Sequence, residues 1–468
     1  MGNVSEYGFR YDPMAFVEKD EGLQGALIRT FVFDRPREED RALLSEEIEK
    51  TFAEQKLDGS LGDTSKETGS QLLQALRLGC AHDRPEVASA AEAILSQKRA
   101  GKNANEWIER DGAMSIYALH SLCLLGRGDV EEVRFSLDWY PAHQEMWNDP
   151  WEGCPWTPSV FWSALWAGRE FGDVTGAVKD GLRKVTEGLN AAGCNAYNDP
   201  WGFTDAAGQI DSPEAGDLVV RQIPMILRGQ RPNGGWGDHS FVVFRALVKH
   251  GLFEDLRKLP PLPADWEVVR SIPAPGEKLS SLDWDGSRFW AFDQEAKEAV
   301  AILAEDGTVV RRIAIENCQN IAWWDGALAA VGKEPKTLRR IDPETGEALQ
   351  TISLEKMEWV IGPEVVGDKV AVGDGFMCNV SIYDPEDPGK PRTQVLGGPG
   401  PMFMASENGD VWHADFWAPA LIKSTLDGKL LDWGDQPFPI RGLAYDGELL
   451  WAIDGDANRI CALKRRED

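Results

Sequence analysis

Trp284-Asp285-Gly286-Ser287-Arg288-Phe289-Trp290-Ala291 reads as a tight turn running into an apolar strand, and the chain repeats it. Trp324-Asp325-Gly326, Val366-Gly367-Asp368, Asn408-Gly409-Asp410 and Tyr445-Asp446-Gly447 follow, with glycine spacings of 40, 41, 42 and 38 residues. Apolar runs flank these turns, such as Ile321-Ala322-Trp323 and Gly442-Leu443-Ala444 before and Leu450-Trp451-Ala452 after, which is the signature of a β-hairpin. A second turn comes 19 to 22 residues later in the first four units, at Asp306-Gly307, Thr345-Gly346, Pro388-Gly389 and Asp427-Gly428. Two hairpins per unit make a four-stranded blade, so five units predict a five-bladed β-propeller over residues 265–468.

The fifth unit has room for only three strands before Asp468, which would leave an unpaired edge. Trp266-Glu267-Val268-Val269-Arg270-Ser271-Ile272 matches Thr308 to Ile313, the fourth strand of the first unit, and precedes that unit by one period. The expectation is that it closes the ring against Arg459 to Leu463, with Val268 and Ile272 as its apolar contribution. In its turns and in the step from Asp342 through Pro343 to Thr345-Gly346, this half resembles the glutamine cyclotransferase and streptogramin lyase groups of propellers. The resemblance implies a fold, not an activity. On one rim of such a ring the loops after second strands carry Asp293, Asp374, Asp415 with Trp417, and Asp454. Gln319, Asn320 and Arg441 enter the same rim ahead of first strands, a usual arrangement for a propeller ligand site.

Leu259-Pro260-Pro261-Leu262-Pro263 is a stiff, donor-poor link, and residues 259–264 are read as a linker. Residues 1–258 read as helical, because apolar residues return at three- and four-residue steps in Leu72 to Leu78, Met114 to Leu125, Val160 to Ala167, Leu218 to Leu227 and Phe241 to Leu247. Two loops share a form: Gln55 to Asp63, with Asp58-Gly59-Ser60-Leu61-Gly62, and Gln230 to Asp238, with Asn233-Gly234-Gly235-Trp236-Gly237. The second resembles the QW repeat of the squalene cyclase and protein prenyltransferase families, and the first is a degenerate copy with Leu61 in the Trp position. The resemblance implies an α/α toroid over roughly residues 36 to 256, in which the Gln amide and the Trp ring tie helix ends together. The fold class expected is therefore a toroid-like helical repeat domain followed by a five-bladed propeller. The Asp-x-Asp-Asp acid of the class II cyclases is absent from the sequence, which speaks against a standard squalene-type cyclase.

Chemistry is expected where acids and aromatics crowd. Trp147-Asn148-Asp149-Pro150-Trp151-Glu152-Gly153-Cys154-Pro155-Trp156 has an Asn-Asp-Pro-Trp core that returns 50 residues later as Asn198-Asp199-Pro200-Trp201. One repeat unit apart, the two copies would share an end of a toroid with Trp162 and Trp166, which stand four apart on the following helix. Asp149, Glu152, Cys154, Asp199, Asp205 and His239 are the candidate catalytic groups. Trp147, Trp151, Trp156, Trp162, Trp166, Tyr197, Trp201 and Trp236 are the candidate substrate-binding walls. Apolar walls raise a carboxylic acid's pKa so that it donates a proton at neutral pH, and aromatic faces stabilise a developing cation. Asn-Asp-Pro-Trp is equally a turn, with Asp capping and Trp packing beneath. No cofactor motif is present; the nearest analogue of the prenyltransferase zinc ligands is Glu152-Gly153-Cys154 with His239, a set that would suit an open zinc site.

Composition excludes several roles. Forty-nine basic against 77 acidic residues give a net charge of −28, which repels phosphate backbones and anionic lipid. No apolar run approaches the roughly 18 to 20 residues that span a bilayer. The start, Met1-Gly2-Asn3-Val4-Ser5-Glu6, has no basic-then-apolar leader, and seven scattered cysteines read as reduced thiols, so the expected address is the cytoplasm. Nineteen tryptophans imply aromatic-lined cores or cavities. These readings converge on a small-molecule enzyme performing isomerisation, cyclisation or elimination on an apolar, isoprenoid-like substrate in the toroid cavity. The alternatives are a carbohydrate-active enzyme with paired carboxylates, or a non-catalytic scaffold or ligand-binding protein.

Overall fold

In a computed structural model the structure describes residues 6–100, 113–147, 157–191, 193–194, 199–375, 378–398, 400–415, 417–418 and 420–466. They cluster into two compact units, one of residues up to 189 with 201–223 and 230–261, the other of 262 onward with 190–200 and 224–229.

The first unit is helical. Its elements are α1 (Pro13–Lys19), α2 (Leu23–Leu27, continuing as a π-helical turn to Val32), α3 (Glu38–Phe52), α4 (Ser65–Arg77), α5 (Pro85–Arg99), α6 (Ile116–Leu124) and α7 (Glu131–Ala142). Then come α8 (Thr157–Ala167), α9 (Thr175–Gly188), α10 (Pro200–Gln209), α11 (Pro213–Arg228), whose last turn groups with the other unit, α12 (Ser240–Lys249) and α13 (Phe253–Lys258). Local chemistry sets their ends. At α4, Thr64 Oγ1 accepts the Glu67 amide and Glu67 Oε2 accepts the Thr64 amide, both at 3.2 Å, a reciprocal cap that satisfies two helix-end donors. Even-numbered helices pack on one another: α4 on α6, α6 on α8, and α12 on α2 and its π-helical turn. Trp162 of α8 stacks on Phe203 of α10 at 5.5 Å, and Arg245 of α12 pairs with Asp205 of α10.

The two similar loops do similar work. Gln230 Nε2 donates to the Gly234 carbonyl at 2.9 Å and to the Tyr11 carbonyl at 3.1 Å, while its Oε1 accepts the Tyr11 amide at 3.0 Å. Gln55 Nε2 likewise donates to Gly59 and Glu86 carbonyls, both at 2.9 Å. Each amide thus closes its own turn and ties it to a distant segment. Among the described residues, no helix is long and apolar enough to cross a membrane.

The second unit is a propeller, with twenty strands among the described residues. The first strand is β1 (Trp266–Pro273). Blade 1 holds β2 (Leu279–Trp284), β3 (Phe289–Asp293), β4 (Glu298–Ile302) and β5 (Val309–Ala314), and blade 2 holds β6 (Asn320–Trp324), β7 (Ala327–Lys333), β8 (Lys336–Ile341) and β9 (Ala348–Ser353). Blade 3 holds β10 (Val360–Val366), β11 (Lys369–Asp374), β12 (Asn379–Tyr383) and β13 (Arg392–Gln394), and blade 4 holds β14 (Pro401–Glu407), β15 (Asp410–Asp415), β16 (Ala420–Thr425) and β17 (Leu430–Asp435). Blade 5 has β18 (Ile440–Tyr445), β19 (Leu450–Asp454) and β20 (Arg459–Arg465), and β1 completes it.

The closure is antiparallel, with Val268 opposite Leu463, Ser271 opposite Cys461 and Ile272 opposite Ile460. Reciprocal bonds from the Asp265 amide to Asp435 Oδ1 (2.8 Å) and from the Asp435 amide to Asp265 Oδ2 (2.9 Å) fix where β1 enters. One detail departs from the expected side-chain pattern. Val268 is 38% exposed, and the buried apolar groups of β1 are Trp266 and Ile272. The register slips between Val268 and Arg270, and an outer strand has a neighbour on one side only, so its middle faces solvent.

Inner strands stitch neighbouring blades together. Ser281 adopts a positive φ of 53° where the register of blade 1 slips, and its Oγ accepts the Ile321 amide of blade 2 at 2.9 Å. Aromatic and aliphatic side chains fill the seams between blades: Trp290, Phe292, Ile321 and Leu328 share one cluster, and Trp266, Trp412 and Leu443 another.

Candidate functional site: an acid-bearing cavity in the propeller

Of the toroid candidates, Asp149, Trp151, Glu152, Cys154, Trp156 and Tyr197 lie outside the described residues. The others are built into packing. Trp147 stacks on Phe161 at 5.2 Å and donates its indole N–H to the Tyr140 carbonyl. Trp162 and Trp166 are buried, and Trp236 packs edge-on against Phe9 and Phe244. Trp201 stacks on His239 at 4.8 Å, and burial holds that imidazole below its ordinary pKa, so it is neutral at pH 7. Asp199 is 3% exposed and directly precedes α10. Asp205 is engaged in ion pairing: Arg245 binds it, Arg77 Nη2 stands 3.5 Å away and Gln209 Nε2 donates at 3.0 Å. Among the described residues no group of His, Cys, Asp and Glu is arranged to hold a metal ion.

The propeller rim brings its four aspartates to equivalent places, each at the end of a second strand and paired with the start of an inner strand: Asp293 with Leu279, Asp374 with Val360, Asp415 with Pro401 and Asp454 with Ile440. Their carboxylates are occupied by backbone. Asp293 Oδ1 accepts the amides of Glu295 and Ala296, and Asp454 Oδ1 those of Asp456 and Ala457. Asp374 accepts the amides of Glu358 and Trp359. Asp415 accepts three, from Gly400, Trp417 and Ala418. Blade 2 carries Lys333 at the end of its second strand. Gln319 is held by its backbone, its carbonyl accepting Ser280 Oγ at 2.7 Å; Asn320 is buried with its Oδ1 unbonded, and Arg441 is exposed.

A cavity of about 880 Å³ opens at the other end of the same strands, beside the first turns. Its position follows from register, since Leu279 pairs with Asp293 at the rim while Trp284 pairs with Phe289 at the turn. The residue three before each turn glycine is Asp283, Trp323, Glu364, Ser406 and Ala444 in blades 1 to 5. The first four line the cavity, with Trp284, Trp324 and Tyr445. The two acids grip the next blade. Asp283 Oδ2 accepts the Trp323 amide at 2.5 Å and its Oδ1 the Trp284 amide at 2.7 Å. Glu364 Oε1 accepts the Ser406 amide at 2.7 Å.

Burial decides their electrostatics. Asp283 is partly open to the cavity, yet burial pushes its carboxyl up to about 7, with the Asp285 charge adding and the two amide bonds opposing. Glu364, 3% exposed, is held well above the ordinary carboxylate range, first by burial and then by the charge of Asp283, against the pull of the Ser406 amide. Two carboxyl groups that resist joint ionisation in one cavity wall can hold and pass a proton near neutral pH. Around them Arg340 covers Trp324 at 5.3 Å from the ring centre, and Lys369 pairs with Asp384 at 2.6 Å.

Neither acid stands among the residues expected from the sequence. The available signal was the repeat itself: aligned on the turn glycine, Glu364 stands alone in an apolar inner strand, Val360-Ile361-Gly362-Pro363-Glu364-Val365-Val366.

No family model and no curated protein matches the sequence. Among solved structures the chain is similar to glutaminyl cyclase of Myxococcus xanthus, at 12% identity over 43% of this chain and 97% of that one, with a TM-score of 0.38. It is similar to PQQ-bound aldose sugar dehydrogenase of Streptomyces coelicolor at 13% identity over 44% and 100%, TM-score 0.33. Virginiamycin B lyase of Staphylococcus aureus matches at 15% identity over 42% and 69%, TM-score 0.30.

Proposed function

We propose that this chain is an acid/base enzyme acting on a small molecule, by isomerisation, cyclisation or elimination, and that Asp283 and Glu364 are its proton-transferring pair. The observation that carries the reading is their shared placement: both line one aromatic-walled cavity, and burial raises both. A volume of about 880 Å³ lies within the range of small-molecule sites, roughly 300 to 1,000 Å³. With one proton between them, the neutral carboxyl donates while the ionised one accepts, and the roles return after a turnover.

The test is conversion of small molecules from a metabolite extract, followed by mass spectrometry. Glu364→Gln is the cleaner variant, because a Gln carbonyl still accepts the Ser406 amide while the group loses its proton. Conversion falls at least about 100-fold in that variant, the usual size of a general acid/base contribution. Unchanged conversion by folded Glu364→Gln and Asp283→Asn proteins removes the pair from the mechanism.

A second reading keeps the chemistry in the helical unit. It takes the helices as an α/α toroid of the terpenoid cyclase type, with an apolar, isoprenoid-like substrate beside Asp199. Its support is the succession of packed even-numbered helices, the paired Gln230 and Gln55 ties, and a buried Asp199 two residues before Trp201, which stacks on His239. In the same assay this reading predicts loss in Asp199→Asn and none in Glu364→Gln. Under either reading the partner is a small molecule, and the cytoplasm is the proposed location.

A further inference from the structure

We infer that the propeller cavity binds an organic cation, an alkylammonium group seated against its tryptophans with the carboxylate of Glu364 as counter-ion. The inference rests on the cavity being the functional site and adds the chemistry of what enters it.

Aromatic walls come first. Trp284, Trp323 and Tyr445 line the cavity and are each only half-buried, so part of every ring is open to it. Trp324 already holds a cation, since the Arg340 guanidinium lies over its face at 5.3 Å. Trp323 is braced from behind by the near-parallel ring of Trp290 at 5.8 Å. Aromatic faces attract cations through the ring quadrupole, and the attraction grows as water is excluded.

Charge comes second. Acidic groups facing Asp283 and Glu364 are Asp285 on the adjoining turn, Asp325 from blade 2, and Asp368, Asp384 and Glu386 from blade 3. The basic groups are Arg340, spent on Trp324 and on the Asp325 carbonyl, and Lys369, bonded to Asp384 and 3.2 Å from Asp368. Tyr445 is held above its ordinary pKa by burial and nearby acids, so it is neutral. Acid therefore exceeds base, and the bases present are already paired. Third, Glu364 lies in the cavity wall at 3% exposure, and one of its two oxygens takes the Ser406 amide, so its carboxyl group is the acid that a cationic N–H or N-methyl group meets there. A bare metal ion fits less well, because among the described residues no acids gather as ligands.

The experiment is isothermal titration of the full chain with choline, with its uncharged isostere 3,3-dimethylbutan-1-ol and with glucose. Choline binds wild type at least about tenfold more tightly than the isostere, and Glu364→Gln weakens choline about tenfold while leaving the isostere unchanged. Binding draws the pair, both raised by burial, toward the ionised form, so affinity rises with pH, by at most about tenfold per pH unit for one released proton. Equal binding of choline and the isostere, preferential binding of glucose, or no binding of any probe overturns the cation. These outcomes are separate from the fate of the acid/base reading. Loss of turnover in Glu364→Gln without choline preference sinks only the cation, and choline preference with unaffected turnover sinks only the catalysis.

Discussion

The two ends of the propeller's blades both carry carboxyl groups, and the structure employs them differently. At the rim, Asp293, Asp374, Asp415 and Asp454 each accept at least two amides of nearby loops. Those bonds engage the carboxylates in holding the loops. At the cavity end, Asp283 and Glu364 reach across to the next blade, and burial outweighs the amides that bind them. Carboxyl groups saturated by backbone hold a fold. Asp283 accepts two amides as well, so what sets the cavity pair apart is burial, which raises both carboxyl groups where a ligand can reach them.

Opening the ring tests both ends at once and should have the largest effect. Residues 262–468 expressed alone are expected to fold, and residues 276–468 are not, by soluble yield and thermal melting. The shorter fragment loses Trp266 and Ile272, worth roughly 1.5 to 3 kcal/mol each, and exposes the β20 edge. Within the full chain, Val268→Thr is the matched control and changes stability by less than about 0.5 kcal/mol, because that side chain faces water. Equal melting of the two fragments breaks the claim that β1 closes the ring.

Next in size is the rim. Asp415→Ala strands the amides of Gly400, Trp417 and Ala418 and should cost about 2 to 3 kcal/mol in urea unfolding, with choline binding unaltered. A stable Asp415→Ala protein with weakened binding would erase the contrast between the ends.

The smallest effect is a pH slope. Asp283 in the folded protein titrates near about 7, against about 3.9 in an unfolded chain. Between those values the folded state keeps a proton that the unfolded state has released, so stability falls as pH rises through the window and levels off above about 7. Asp283→Asn removes that slope, and its stability relative to wild type should improve from pH 4 to 7 by about 1 to 2 kcal/mol. The full shift would be roughly 4 kcal/mol, reduced here because cavity water screens a partly open group. Parallel slopes in denaturant titrations of the two proteins would contradict the raised Asp283.

Much of the propeller was legible in the sequence, and much less of its site. The rim aspartates were visible because each ends a second strand near a turn, and both properties are local. That same locality fills three of them, since Asp293, Asp415 and Asp454 accept amides two and three residues on, whereas Asp374 takes those of Glu358 and Trp359 from the preceding inner-strand approach. Asp283 has no local mark, Glu364 only its isolation in an apolar strand, and their partners Trp323 and Ser406 lie 40 and 42 residues away. In the helical unit, the Gln230 loop was readable as a tie, but its far partner Tyr11 was not, because the tie spans 219 residues.

By itself the sequence determined the number of blades and the strand that closes them. A repeat of hairpins has only one way to satisfy its last open edge, and the spare strand sits one period ahead of the first blade. Only the tertiary structure decided which acids are free to act. That depends on how deeply a carboxyl is taken from water and how many amides reach it, and both are set by the neighbouring blade once the ring has closed.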